Sequence, residues 1–196
     1  MYNLYSSVYL FKHFYWSIFL NTLINLSVLS SVVVLSACAT MHKNSAANLS
    51  AVEKVTINAP AAKVWAKVAN FGDLGAFHPA VAKTEIKSGT NNVKGAVRLL
   101  TLGDGGTVNE TLTNYDAAGM SYSYIINESV LPVSHYSAKI DVNAISANVT
   151  EVVWNANFAR KDPSTTPAKG KDDVAATGTI HAVFKGGLDN LKKITE

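Results

Sequence analysis

From residue 51 onward, apolar and polar positions alternate in blocks whose period switches between two and about 3.6. Val52-Glu53-Lys54-Val55-Thr56-Ile57 alternates as a strand with one buried face. Pro60 suits the first turn of a helix, where a missing N–H costs nothing. Val64, Trp65, Val68 and Phe71 then recur at helical spacing, which predicts a helix over 60–70. Gly72 is expected to stop it, and Asp73 to cap a second short helix through Phe77 that Pro79 ends. Six alternating segments follow, at 82–88, 94–102, 106–115, 120–127, 135–145 and 149–160. Gly103-Asp104-Gly105, Asp116-Ala117-Ala118-Gly119 and Ser146-Ala147-Asn148 are links short enough for hairpins, which makes their flanking strands antiparallel. The last block is a helix opened by Asp172 and Asp173. Its stripe is Ala176, Ile180, Val183, Phe184, Gly187, Leu188, Leu191 and Ile194, with Gly187 allowing close approach to the sheet.

The first 37 residues follow a different pattern. They hold one Lys (Lys12), no Arg, no acid and eight of the chain's 18 aromatics, and no charged residue occurs from Phe14 to Met41. Such a run is long enough to span a bilayer. It ends, however, in Leu35-Ser36-Ala37-Cys38, small residues directly before the chain's only cysteine. The tetrapeptide resembles the lipobox of bacterial lipoproteins, in which the signal is cut before a Cys that then carries acyl chains. The resemblance implies a signal peptide at 1–37, lipidation at Cys38, a polar tether at 38–50 and a folded domain at 51–196. It also implies export to a periplasm-facing membrane. Ala39 replaces the aspartate that retains such proteins in the inner membrane, so a diderm host would send this one to the outer membrane. A plain transmembrane anchor and an ordinary cleaved signal with an incidental cysteine are the alternatives.

Composition narrows the function. The 196 residues carry 17 Lys+Arg against 14 Asp+Glu, a net charge of +3. That balance is too small and too scattered for a nucleic-acid groove. A single cysteine excludes an intramolecular disulfide and a Cys-rich zinc module. No His or carboxylate pair has metal-ligand spacing, so no metal or other cofactor is expected.

Strand, two short helices, six strands and a long terminal helix is the order of a helix-grip α+β fold, a curved seven-stranded antiparallel sheet wrapped around its last helix. Several stretches carry a family likeness: Val55-Thr56-Ile57-Asn58-Ala59-Pro60-Ala61-Ala62-Lys63-Val64-Trp65, Phe77-His78-Pro79-Ala80-Val81, Gly95-Ala96-Val97-Arg98, Tyr122-Ser123-Tyr124 and Phe184-Lys185-Gly186-Gly187-Leu188-Asp189-Asn190-Leu191. Together they resemble the polyketide cyclase/dehydrase branch of the SRPBCC (START/Bet v 1-like) superfamily over residues 51–196. The resemblance implies a cavity between sheet and helix, and it leaves function open because this fold hosts carriers, receptors and cyclases.

Alternation nominates the lining of that cavity. Ala96, Arg98, Leu100 and Leu102 share one face, as do Val108, Glu110 and Leu112, while Thr107, Asn109, Thr111 and Thr113 face outward. With Gly103–Gly105 as the loop, Leu100 falls opposite Val108 and Arg98 opposite Glu110. An ion pair on an apolar face is costly to desolvate, so the pair is a candidate for gripping a polar ligand group, or the two charges satisfy each other. Tyr122 and Tyr124 align with Ile126, Tyr136 with Ala138 and Ile140, and Trp154 with Val152 and Phe158. They supply either aromatic cavity walls or a filled core with hydroxyls at its rim. Trp65 is a ligand contact or core. His78 is a cavity-mouth acid or base, or a structural hydrogen bond closing its turn.

The expected role is a binding module for a hydrophobic or aromatic small molecule or a lipid, anchored to a membrane and working alone or beside a partner protein. The alternatives are a cyclase- or dehydratase-like enzyme using Glu110, His78, Arg98 and Tyr124, and an accessory protein with a filled core. Export sits poorly with polyketide synthesis, which is cytosolic, and no nucleophile signature is present.

Overall fold

The computed structural model describes residues 48–196. The signal-like segment, Cys38 and most of the tether lie outside the described residues. The described chain begins with strand β1 (Leu49–Ile57), so β1 takes two residues that the alternation assigns to the tether. Ala51, buried on β1, shows why the strand starts early: its inward face already meets the core before Val52.

Helix α1 (Ala61–Val68) follows, with Pro60 as its N-cap and Ala61, Val64 and Val68 buried. It stops four residues short of Gly72. The cause is Asn70, whose Oδ1 accepts from the Gly72 N–H at 3.1 Å and turns the chain. The expected second helix is a single 3₁₀ turn at Leu74–Ala76, and the Asp73 side chain makes no cap hydrogen bond. Without that cap, and with Pro79 three residues beyond, nothing extends the turn.

Strands β2 (Val81–Ser88), β3 (Val97–Leu102), β4 (Thr107–Asp116), β5 (Ser121–Ser129), β6 (Val133–Ser146) and β7 (Val149–Arg160) form a meander, and β1 pairs with β7 at its far edge. Every pair is antiparallel. The β3–β4 register is the expected one, with Arg98 opposite Glu110 and Leu100 opposite Val108. Its turn is built by Gly105 at φ +85° and by Asp104 Oδ1, which accepts from the Gly106 N–H at 2.9 Å.

Helix α2 (Asp173–Thr195) lies in the concave face of the sheet. Asp172 caps it by accepting from the Ala175 N–H at 2.8 Å. Its buried stripe is Ala176, Ile180, Phe184, Gly187, Leu188, Leu191 and Thr195. Ile194, expected on that stripe, is 40% exposed, because the i+4 step from Leu191 lands on Thr195. Gly187 marks the closest approach of helix and sheet: a Cβ there would lie 2.7 Å from His78 Cδ2 and 2.9 Å from Trp154 Cζ3.

Candidate ligand site

The concave face carries the nominated residues in one connected aromatic layer. At one end Trp65 packs on Tyr115 and Tyr122, and Phe71 meets Tyr122 edge-on, with ring centroids 5.9–6.4 Å apart. The layer continues from Tyr122 to Tyr124, Tyr136 and Phe158 in steps of 6.1 Å. Trp154 stacks on Phe184 of α2 at 4.6 Å, and its Nε1–H donates to the Tyr124 hydroxyl at 3.0 Å.

Arg98 is fully buried inside this layer. Its Nε donates to Glu110 Oε2 at 2.6 Å and its Nη1 to the Phe71 carbonyl at 2.7 Å, while the guanidinium lies 4.0 Å above the Phe71 ring. Arg98 Nη2 and the Tyr122 hydroxyl have no partner among the described residues, a cost of about 1–3 kcal/mol for each such group. Burial works against the Arg98 charge, yet Glu110, Tyr122 and Tyr124 together raise its pKa. Burial also lifts the Glu110 carboxyl above its ordinary value, by more than the Arg98 charge lowers it. The first shift favours the charged pair and the second opposes it. An arginine does not deprotonate in a protein, so the titration that matters is that of Glu110.

Glu110 forms the boundary between this filled layer and a small, partly open cavity of about 80 Å³. The cavity is walled by Leu100, Leu102 and Val108 from β3 and β4, by Tyr124, Ile126 and Tyr136 from β5 and β6, and by Ile180 and Val183 from α2. Among the described residues, Glu110 Oε1 makes no hydrogen bond, so the cavity's carboxylate wall presents an unused acceptor. Burial drives the hydroxyl pKa of Tyr124 and Tyr136 far above that of a tyrosine in water, so both are neutral donors.

His78 also lines the cavity, but both of its ring nitrogens are engaged. Nδ1 accepts from the Ala80 N–H at 3.2 Å, which leaves Nε2–H to donate to the Val183 carbonyl of α2 at 2.9 Å. Asn190 Nδ2 reinforces the turn by donating to the Phe77 carbonyl at 2.9 Å. Burial lowers the pKa of His78 and keeps the ring neutral.

Of the residues nominated from the pattern, the cavity therefore brings together His78, Glu110, Tyr124 and Tyr136 with the apolar Leu100, Leu102, Val108 and Ile126. Arg98, Tyr122, Trp65 and Trp154 are placed off its wall, in the packed layer beside it. Arg98 and Tyr122 share the sheet's inner face with the wall residues but lie under Trp65 of α1 and Phe71, while Trp154 is covered by Phe77, His78 and Phe184 of α2. Alternation reports which face a residue occupies and not what another element lays over it. Leu131, Ile180 and Val183 were outside the nominated set. The α2 stripe carried the signal for the last two, whereas Leu131 sits in a loop with no periodicity to expose it.

A family model described as polyketide cyclase / dehydrase and lipid transport matches residues 48–196. No curated protein matches the chain. Among solved structures, the protein XoxI from Bacillus cereus is 22% identical with a TM-score of 0.65, covering 74% of this chain and 94% of its own. A protein from Nitrosospira multiformis is 20% identical with a TM-score of 0.62, covering 76% of this chain and 97% of its own. The Zhui aromatase/cyclase from Streptomyces sp. R1128 is 20% identical with a TM-score of 0.60, covering 76% and 94%. At these identities the likeness is one of fold.

Proposed function

The chain belongs to the polyketide cyclase/dehydrase and lipid transport family, and from that premise we propose that it binds a small, neutral, apolar molecule through a hydrogen-bond donor on that molecule. The observation that carries this reading is Glu110 Oε1, an unengaged acceptor on an otherwise mostly apolar cavity wall. Arg98, the group that would receive a carboxylate or ketone, lies behind that wall instead of on it, with Nε on Glu110 and Nη1 on the Phe71 carbonyl. A ligand that brings its own O–H or N–H completes the carboxylate, whereas an anion would be repelled by it. An acid–base reaction in the same cavity would rest on Glu110, since both nitrogens of His78 are held by backbone.

The test compares 1-butanol with its isomer diethyl ether, which has the same heavy atoms but no donor, by NMR titration of the full-length protein. A hydrogen bond to a charged group is worth about 1.5–3 kcal/mol, so the alcohol is expected to bind at least roughly tenfold more tightly. Equal affinities, or no binding by either, overturn the reading.

The same proposal places the protein on a periplasm-facing membrane as a lipoprotein, supported by the Leu35-Ser36-Ala37-Cys38 pattern after a long uncharged apolar run. Intact-mass measurement from a bacterial host should find a chain that starts at an acylated Cys38. An unmodified Cys38 behind an uncut N terminus removes the anchor and leaves the binding reading standing.

A further inference from the structure

The inner cavity is small. A cavity of roughly 150 Å³ is needed to hold one benzene, and small-molecule sites run to about 300–1,000 Å³; this one has 80 Å³. A ligand of more than a few heavy atoms must therefore extend beyond this pocket.

One wall is thin. Strands β5 and β6 pair from Ser121↔Asp141 to Ile125↔Ser137 and no further. Beyond that point β5 continues to Ser129 against β4, and β6 starts at Val133 against β7. Both strands carry an irregularity at this level. On β5, Asn127 is extra between the Glu128↔Asn109 and Ile126↔Glu110 pairs, and its Nδ2 is tied to Asn109 and Thr111 of β4. On β6, His135 sits at φ +49° within a bulge, and the neighbouring Ser134 hydroxyl donates to the Arg160 carbonyl of β7. Each strand is thus bent toward its outer neighbour and away from the other. A cleft of about 400 Å³ occupies the resulting split. Ile126 and Tyr136 line both the cleft and the inner cavity, so these two side chains are what separates them.

We propose that the ligand site has two chambers, the inner cavity at Glu110 and the outer cleft in the β5–β6 split, joined between Ile126 and Tyr136. It rests on the binding reading above and names the ligand class: a slender, neutral amphiphile, such as a linear primary alcohol, whose donor end sits at Glu110. Its chain passes between the two strands, and its far end lies among Glu128, Ser134 and Lys161 at the surface. A planar or branched molecule of the same mass does not fit this path.

The experiment is a series from 1-butanol to 1-octanol titrated into the full-length protein and followed by amide chemical shifts. Each added methylene buries more apolar surface and is expected to tighten binding roughly three- to fourfold. The longer alcohols should add shifts at 127–129 and 133–135, which line only the outer cleft, that 1-butanol does not cause. Ile126→Trp narrows the passage and should stop the gain from chain length at the shortest alcohols. If that variant does not fold, the wild-type shift map decides alone. Alcohols that bind with no gain from chain length, or long-chain shifts confined to α2 and β1, overturn the two-chamber site and leave the inner one. Failure of every alcohol, 1-butanol included, removes the binding reading and this inference with it.

Discussion

At one end of the sheet's concave face, Trp65, Phe71, Tyr115 and Tyr122 close over Arg98 so completely that it has no exposed surface. At the other end, Tyr136, Ile126, Leu131 and Val183 enclose space instead of filling it, and the strands behind them part. Both ends are aromatic and apolar, so composition does not distinguish them. The cover does. The first end has α1 and the Phe71 segment laid across it, with the Phe71 carbonyl tied to Arg98 and the Ala69 carbonyl to the Tyr115 hydroxyl. The second has a short 3₁₀ turn held to α2 through His78 and Asn190, and loops elsewhere. Backbone is pinned over buried charge at the first end, and space is left at the second, where side chains form the wall.

The strongest way to break this contrast is to remove the charge at the closed end. Arg98→Met leaves Glu110 buried without its counter-ion and the Phe71 carbonyl without its donor. The expected cost is about 3–5 kcal/mol in denaturant unfolding at neutral pH. Because burial already raises the Glu110 pKa, the carboxyl can escape by taking up a proton, so the cost should shrink as pH falls into the carboxylate range. The double variant Arg98→Met/Glu110→Leu should recover most of the loss, since well-packed apolar groups replace a buried pair at little cost. A single variant that loses under 1 kcal/mol would mean that the closed end is not held by this pair, and the contrast would fail.

The fold was readable because its devices are local. Period-two alternation placed all seven strands, and the three-residue glycine turn set Arg98 opposite Glu110 without any tertiary information. The candidate site was readable only in part. Alternation put Arg98, Tyr122 and Trp154 on the inner face, but which of them meets the cavity depends on α1, Phe71 and α2 arriving from elsewhere in the chain. The β5–β6 split was hidden for a related reason. His135 gives no sign in sequence of a left-handed backbone, and a bulge depends on a neighbouring strand to define it. Of the two roles weighed for His78, the hydrogen bonds are those of the structural one: it closes its turn through Ala80 and, while lining the cavity, is joined to α2 by a bond that spans 105 residues.

That bond yields the smallest of the expected effects and the one specific to the open end. The pKa of His78 is lowered by burial, so between its folded value and the ordinary histidine value of 6.5 the unfolded chain holds the proton more tightly. Stability from His78 is therefore complete above pH 6.5 and is lost as pH falls through the folded pKa, where a proton on Nδ1 would face the Ala80 N–H it now accepts. Glu110 has the opposite slope: its folded pKa is raised, so its contribution is complete below the ordinary carboxylate value and is lost as pH rises through the folded one. A wild-type melting profile mixes the two, and His78→Gln separates them. The variant keeps a neutral polar side chain but cannot titrate, and it should melt roughly 2–4 °C lower above pH 7, the worth of about one buried hydrogen bond. That gap should close as pH is lowered toward 5, because only the wild type loses stability on protonation at this position. A gap that stays constant across the range would show that the ring is not held neutral by burial, and that the helix is joined to the open end by packing at Gly187 and Trp154 instead.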